Sequence, residues 1–159
     1  MKIYVSTYAK YNNGSIAGAW LDLDDYDDAE QFIDACQDLH KDEIDAELMF
    51  QDFDDIHKNY CHECIDVQEV YHYINACKVG VKDIIDAGLD CEIPLDSIKD
   101  AYQGEYNNDV CFAQQRAEET SAISYDEKWP LNCVDWHKAA RELMYDYSSS
   151  NNHYFSDNY

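Results

Sequence analysis

The chain has 159 residues, and 34 acids against 11 bases leave a formal net charge of −23. A surface this acidic repels phosphates, which excludes a basic groove for nucleic acid. Yet 46% of the residues are hydrophobic and 14% aromatic, too many for a solvating acidic tail, so a core forms. No stretch of about 18 apolar residues is available to span a membrane. The opening MKIYVSTYAKYNNG lacks the apolar stretch of a signal peptide, and the expected compartment is the cytoplasm. The 7 cysteines are odd in number and scattered, which reads as reduced thiols and not as a disulfide framework.

From Lys2 to Tyr8 the residues alternate, with Ile3, Val5 and Thr7 on one face and Tyr4, Ser6 and Tyr8 on the other, which predicts a strand. Asn12-Asn13-Gly14 reads as a turn, and Ile16 to Leu23 as the returning strand of a hairpin. Asp27 to Lys41 is a predicted helix capped by Asp24 or Asp25, with an apolar stripe of Phe32, Ile33, Cys36 and Leu39. Glu47 to Phe53 supplies a third strand. Residues 60–102 read as short helices, with Val67, Val70, Tyr71 and Ile74 in one apolar set and Val81, Ile84 and Ile85 in another. Gly80, Gly88, Ile93-Pro94 and Gln103-Gly104 punctuate them. Asp109 caps a helix bearing Cys111, Phe112, Gln115 and Ala117, ended by Trp129-Pro130. Val134 to Met144 forms a further helix with Trp136, Ala139, Ala140 and Leu143 inward. Tyr145-Asp146-Tyr147 and Tyr154-Phe155 flank a polar loop, Ser148 to Asn152, as a closing hairpin. The expected fold is α+β, an elongated chain of three small subdomains at 1–59, 60–102 and 103–159, with small antiparallel sheets at both ends and a helical middle.

Motifs for catalysis are missing. There is no GxSxG, HExxH, GxGxxG or phosphate loop, and Gly is only 5 of 159 residues. Cys61-His62-Glu63-Cys64 has CxxC spacing, with His57 and His72 nearby. A zinc site needs four ligands, and no second CxxC or HxxxH supplies them. A redox CxxC belongs at a helix start after a βαβ strand, and no such alternation surrounds Cys61. The expectation is no enzyme, no metal and no cofactor. Asp22-x-Asp24 starts like a calcium loop but lacks its glycine and terminal glutamate.

The acid itself is the unusual feature. Residues 22–66 hold 17 of the acids and only Lys41 and Lys58, a net −15. Glu30, Asp34 and Asp38 recur every four residues, each like-charged pair costing a few tenths of a kcal/mol. Surfaces shaped by solubility alone intersperse both signs. Duplex DNA carries one charge per about 1.7 Å of axis, so −23 matches roughly 39 Å of duplex. A chain this acidic can present carboxylates where a DNA-binding enzyme expects phosphates; a merely solvated acidic face, or the proteome of a high-salt organism, is the other reading of the same charge.

Four blocks carry a family resemblance. They are IYVSTYAKYNNGSIAGAWLDL (Ile3–Leu23), DLHKDEIDAELMFQDFDDI (Asp38–Ile56), AYQGEYNNDVCFAQQRAEET (Ala101–Thr120) and the DW…ARELMYDY pattern (Asp135–Tyr147). The chain resembles the ArdA antirestriction proteins in these blocks, in order and at similar spacing. Residues 57–100, rich in cysteine, carry no such match. The resemblance implies a DNA mimic that inhibits type I restriction–modification enzymes, methyltransferase core and full complex, and that binds neither nucleic acid nor membrane. It implies no catalytic residue. The phosphate-mimicking candidates are Asp22, Asp24, Asp25, Asp27, Asp28, Glu30, Asp34, Asp38, Asp42, Glu43, Glu47, Asp52, Asp54 and Asp55. The resemblance also implies a homodimer through the C-terminal part, where Trp129, Trp136, Tyr145, Tyr147, Tyr154 and Phe155 concentrate aromatic surface. A second reading is a small acidic adaptor, or a metal-carrying regulatory protein centred on Cys61 and Cys64. Displacement of DNA from a type I methyltransferase core separates the two.

Overall fold

The N-terminal alternation becomes a strand. In the computed structural model, which describes residues 1–121, 129 and 131–159, β1 runs Lys2–Thr7 with Ile3, Val5 and Thr7 fully buried. Thr7 then caps a short helix, α1 (Tyr8–Asn12), by accepting a hydrogen bond from the Lys10 amide at 3.2 Å. That helix consumes the chain assigned to a turn, and Gly14 closes it at φ 73°. The returning strand β2 is therefore only Ala19–Asp22, and Ile16, expected inside it, is 91% exposed.

The predicted helix is α2 (Ala29–Leu39), and its cap is Asp28, whose Oδ1 accepts from the Gln31 amide at 2.9 Å. Asp24 and Asp25, expected to cap it, lie in a separate 3₁₀ turn that Asp22 caps. Phe32 and Cys36 are fully buried, whereas Leu39, expected inward, is exposed where the helix ends, and His40 is buried in its place. The third strand, β3 (Leu48–Asp54), joins a three-stranded antiparallel sheet in the order β2-β1-β3. A bulge between Tyr4 and Val5 in the β1–β3 ladder shifts the register; beyond it Phe50 pairs with Val5 and Met49 with Ser6, and all four are buried, so both faces of the sheet are covered at this end. α3 (Val67–Val79) buries Val67, Val70, Tyr71 and Ile74 as expected. Phe32 sits at the centre, 6.5 Å from Phe50 and 6.4 Å from Tyr71 between ring centroids. The Tyr71 hydroxyl, raised in pKa chiefly by burial, donates to the Leu23 carbonyl at 3.0 Å. Met1–Val79 is one compact unit, two layers thick.

Gly80–Tyr159 is the other. α4 (Lys82–Asp90) buries Ile85, Ala87 and Leu89, while Val81, expected inward, precedes the first turn and is exposed. Gly88 lies inside α4 and does not end it. A Cβ there would meet the Ile98 side chain at 2.8 Å, so glycine permits the close approach of α5 (Ile98–Ala101). Gln103-Gly104, expected as a break, belongs to strand β4 (Tyr102–Glu105), with Gly104 at φ 127° in a bulge that a side chain resists. Asn108, not Asp109, caps α6 (Asp109–Ser121), accepting from the Cys111 amide at 2.9 Å. α7 (Trp136–Leu143) is capped by Asp135 and fully buries only Ala140; Trp136, Ala139 and Leu143 are half-buried. Pro130 lies outside the described residues. The closing hairpin is β5 (Tyr147–Ser150) and β6 (His153–Ser156), joined by two residues, Asn151 and Asn152, both at positive φ. Asparagine tolerates that conformation, and the twist suits a tight hairpin better than the five-residue loop expected. The sheet order is β4-β6-β5, all antiparallel. Phe112 anchors it, with ring centroids 4.6 Å from Tyr154 and 5.0 Å from Tyr147. The fold is α+β, with a small antiparallel sheet near each end of the chain.

Candidate partner-binding surface

All fourteen acids singled out in the sequence belong to the first unit, and all but Asp22 and Glu43 are exposed. The first group follows α2. Burial of Phe32 and Cys36 turns Glu30, Asp34 and Asp38 outward, one above the other. Asp27 and Asp28 extend this ridge past the N-terminus of the helix, where carboxylates are favoured by the aligned peptide dipoles. Among the described residues, no cation lies within ion-pair distance of Asp25, Asp27, Asp28, Glu30, Asp34 or Asp38.

The second group lies on the sheet. Strand pairing sets Lys2 opposite Asp22 and Asp54, and Tyr4 opposite Trp20 and Asp52. These six side chains therefore share the face opposite Ile3, Val5 and Phe50, which α2 covers through Phe32. The ridge and this face look out from opposite sides of the unit, so the structure does not bring all the predicted acids onto one stripe. Asp22 is held by the amino terminus at 3.7 Å and Lys2 at 3.8 Å. Asp24 pairs with Lys78 at 3.0 Å, which holds its carboxyl below the usual range.

A third group is neutralised from within. Lys10 Nζ lies 2.9 Å from Asp42, 3.4 Å from Glu43 and 2.9 Å from His40 Nδ1. An ammonium offers no lone pair, so Nδ1 accepts and the proton sits on Nε2. Asp42 raises the Lys10 pKa, and Lys10 lowers that of Asp42. Burial first, and Lys10 second, push His40 below its ordinary value. Thr7 Oγ1 also donates to Glu43 at 2.7 Å. Among the described residues, His40, Asp42 and Glu43 are the one set close enough to share a metal ion, and the lysine ammonium already serves as their cation. Cys61 and Cys64 take no part in it. The Cys61 thiol donates to the His57 carbonyl at 3.4 Å, and Cys64 lies 3.1 Å from the Tyr8 hydroxyl. Glu47 and Asp55 are exposed at the two ends of β3.

In the second unit the six aromatics divide. Tyr154 and Phe155 are core residues, and Tyr154 donates to Asp109 at 2.7 Å. Trp136 and Tyr147 are half-buried, with the Arg116 guanidinium 5.8 Å from the Tyr147 ring. Of these six, only Trp129, 80% exposed, and Tyr145, 76% exposed, are open to another molecule.

Two features were not read from the sequence. The internal cations Lys10 and Lys78 remove several acids from the free surface, which no spacing rule reveals. Exposed Trp20 and half-buried Tyr4 form an aromatic pair, signalled only by aromatics on the outward face of the first hairpin. A family model described as antirestriction protein (ArdA) matches residues 3–156. Comparison with curated proteins returns no match.

Proposed function

The chain belongs to the ArdA antirestriction family, and on that footing we propose that it inhibits type I restriction–modification enzymes by occupying their DNA-binding groove with carboxylates. The observation that carries this reading is the α2 ridge: exposed acids, spaced a helical turn apart, with no cation among the described residues within ion-pair distance of them. Surface acids of a merely soluble protein are interspersed with bases. A groove that binds DNA offers many Lys and Arg side chains, because it neutralises phosphates. Along the ridge the carboxylates rise about 6 Å apart, whereas one DNA strand carries a phosphate per about 3.4 Å of axis. The ridge alone is thus a thinner line of charge than a strand, and other acids of the unit must add to it. Each exposed contact contributes about 0–1 kcal/mol, so affinity comes from the sum. No bond is made or broken, and the inhibitor leaves unchanged.

The same reading includes a homodimer made through the second unit, to which Trp129 and Tyr145 contribute exposed area. The test is competition: the protein is titrated into a type I methyltransferase core loaded with labelled duplex. Stoichiometric release of DNA, weakening as salt rises, is the expected result. Failure to release DNA at saturating protein would overturn the proposal.

A further inference from the structure

We propose that the open face of the N-terminal sheet is an arginine-receiving patch, in which a guanidinium of the partner protein lies on the Trp20 ring and pairs with Asp52 or Asp54. This deepens the groove-occupation reading by naming the side chain that the partner brings. Trp20 is 45% exposed and stands at 5.6 Å, nearly edge-on, from Tyr4. Tyr4 is held by a 2.8 Å hydrogen bond from its hydroxyl to the Ile16 carbonyl and supports the Trp20 ring from one side. Lys2, Trp20, Asp52, Phe53 and Asp54 line an open depression of 490 Å³ there.

Charge selects the occupant. Among the described residues no cation lies within ion-pair distance of Asp52 or Asp54, and Lys2, the base on this face, reaches Asp22 instead. An apolar partner would strand those two carboxylates, so the face calls for a cation. The aromatic ring then decides between cations. A guanidinium is planar and weakly hydrated, so it stacks on a ring while its edge donates to a carboxylate; an ammonium keeps its water and does neither as well. An arginine-bearing protein surface fits the Trp20 ring and the Asp52 and Asp54 carboxylates, while Lys2 on the same face is drawn toward Asp22.

The test uses the full chain and two short peptides, identical but for arginine in one and lysine in the other, with binding read by tryptophan fluorescence and by calorimetry. The arginine peptide should bind about fivefold more tightly. Trp20→Thr, a residue suited to an edge strand, should abolish that preference and leave a weak, salt-sensitive residue of binding. Asp52→Asn with Asp54→Asn, which keeps the ring, should weaken both peptides. Equal affinity for the two peptides, or an arginine preference that survives Trp20→Thr, would overturn the proposal. So would loss of a dimer in Trp20→Thr with peptide binding unchanged, which would assign the face to a second copy of the chain. Release of DNA from the methyltransferase core is scored separately, so the patch can fail while groove occupation holds, and the reverse.

Discussion

Replacing Asp34 and Asp38 by asparagine should make the protein more stable and a weaker inhibitor at once. Asp34 lies four residues from both Glu30 and Asp38 on the exposed face of α2, so the double change removes two like-charge pairs of about 0.2–0.5 kcal/mol each. Asp38 also sits in the last turn, beside the negative end of the helix dipole, a placement costing about 0.3–1 kcal/mol. Aspartate and asparagine have similar helix propensity, so little is lost in exchange. The sum is about 1 kcal/mol, or about 3 °C in melting temperature for a chain of this length. Because the charges are exposed, the gain should shrink as salt is added. Two lost contacts of up to about 1 kcal/mol each should raise the dissociation constant for the methyltransferase core by about thirtyfold or less. Thermal melts at low and high salt, and DNA displacement at the same salts, measure both. A double variant that melts below the parent at low salt refutes the repulsion argument. One that melts higher but displaces DNA with unchanged affinity removes the ridge from the binding surface.

Asp28→Ala should cost about 1 kcal/mol by removing the α2 cap, whereas Asp28→Asn should cost almost nothing, since both residues cap well; urea midpoints for the pair separate capping from charge. His40 is held below its ordinary pKa of 6.5, so the folded state refuses a proton that the unfolded chain accepts. Its contribution to stability is present above that value and lost as pH falls from there through the depressed one. His40→Gln should lack this part of the pH slope in urea unfolding, and a parallel slope in both proteins would count against the assignment. Gly18→Ala would place a Cβ on the Val5 carbonyl oxygen, and backbone cannot yield as a side chain does. It should destabilise by about 1–3 kcal/mol, more than Gly88→Ala, where the helix gains about 1 kcal/mol in propensity. Equal melting temperatures for the two glycine variants would refute the comparison.

Local pattern was legible where burial and backbone agree. Ile3, Val5 and Thr7 alternate and are buried together, and Phe32 and Cys36 stand one helical turn apart. It failed where the deciding partner is distant in sequence. Gln103-Gly104 has the composition of a break, yet β6, supplied by the last residues of the chain, pairs with it and makes it a strand. Gly88 looks like punctuation until Ile98 is seen against it. Leu39 fits the helical stripe but falls where the helix ends, and the buried place goes to His40, which composition rules leave outside. The acidic surface was legible as density, since 17 acids in 45 residues must lie mostly outside. Which acids stay free was not, because Lys10 and Lys78 choose their partners in three dimensions. Trp20 was read as part of a strand, and its exposure follows only from the register with Tyr4.

The acids of the first unit look out from both sides of a two-layer fold, and that has a kinetic consequence. A basic body approaching the ridge and one approaching the open sheet meet a field of the same sign. Orientation is what ordinarily lowers the association of two proteins from the diffusion limit to about 10⁵–10⁷ M⁻¹s⁻¹. A unit that attracts from either side discards fewer of its collisions, and long-range steering adds to that advantage at low ionic strength. On the proposed reading, capture of the enzyme before it finds DNA depends on this rate, so carboxylates that never touch the partner in the final complex would still shorten the search for it.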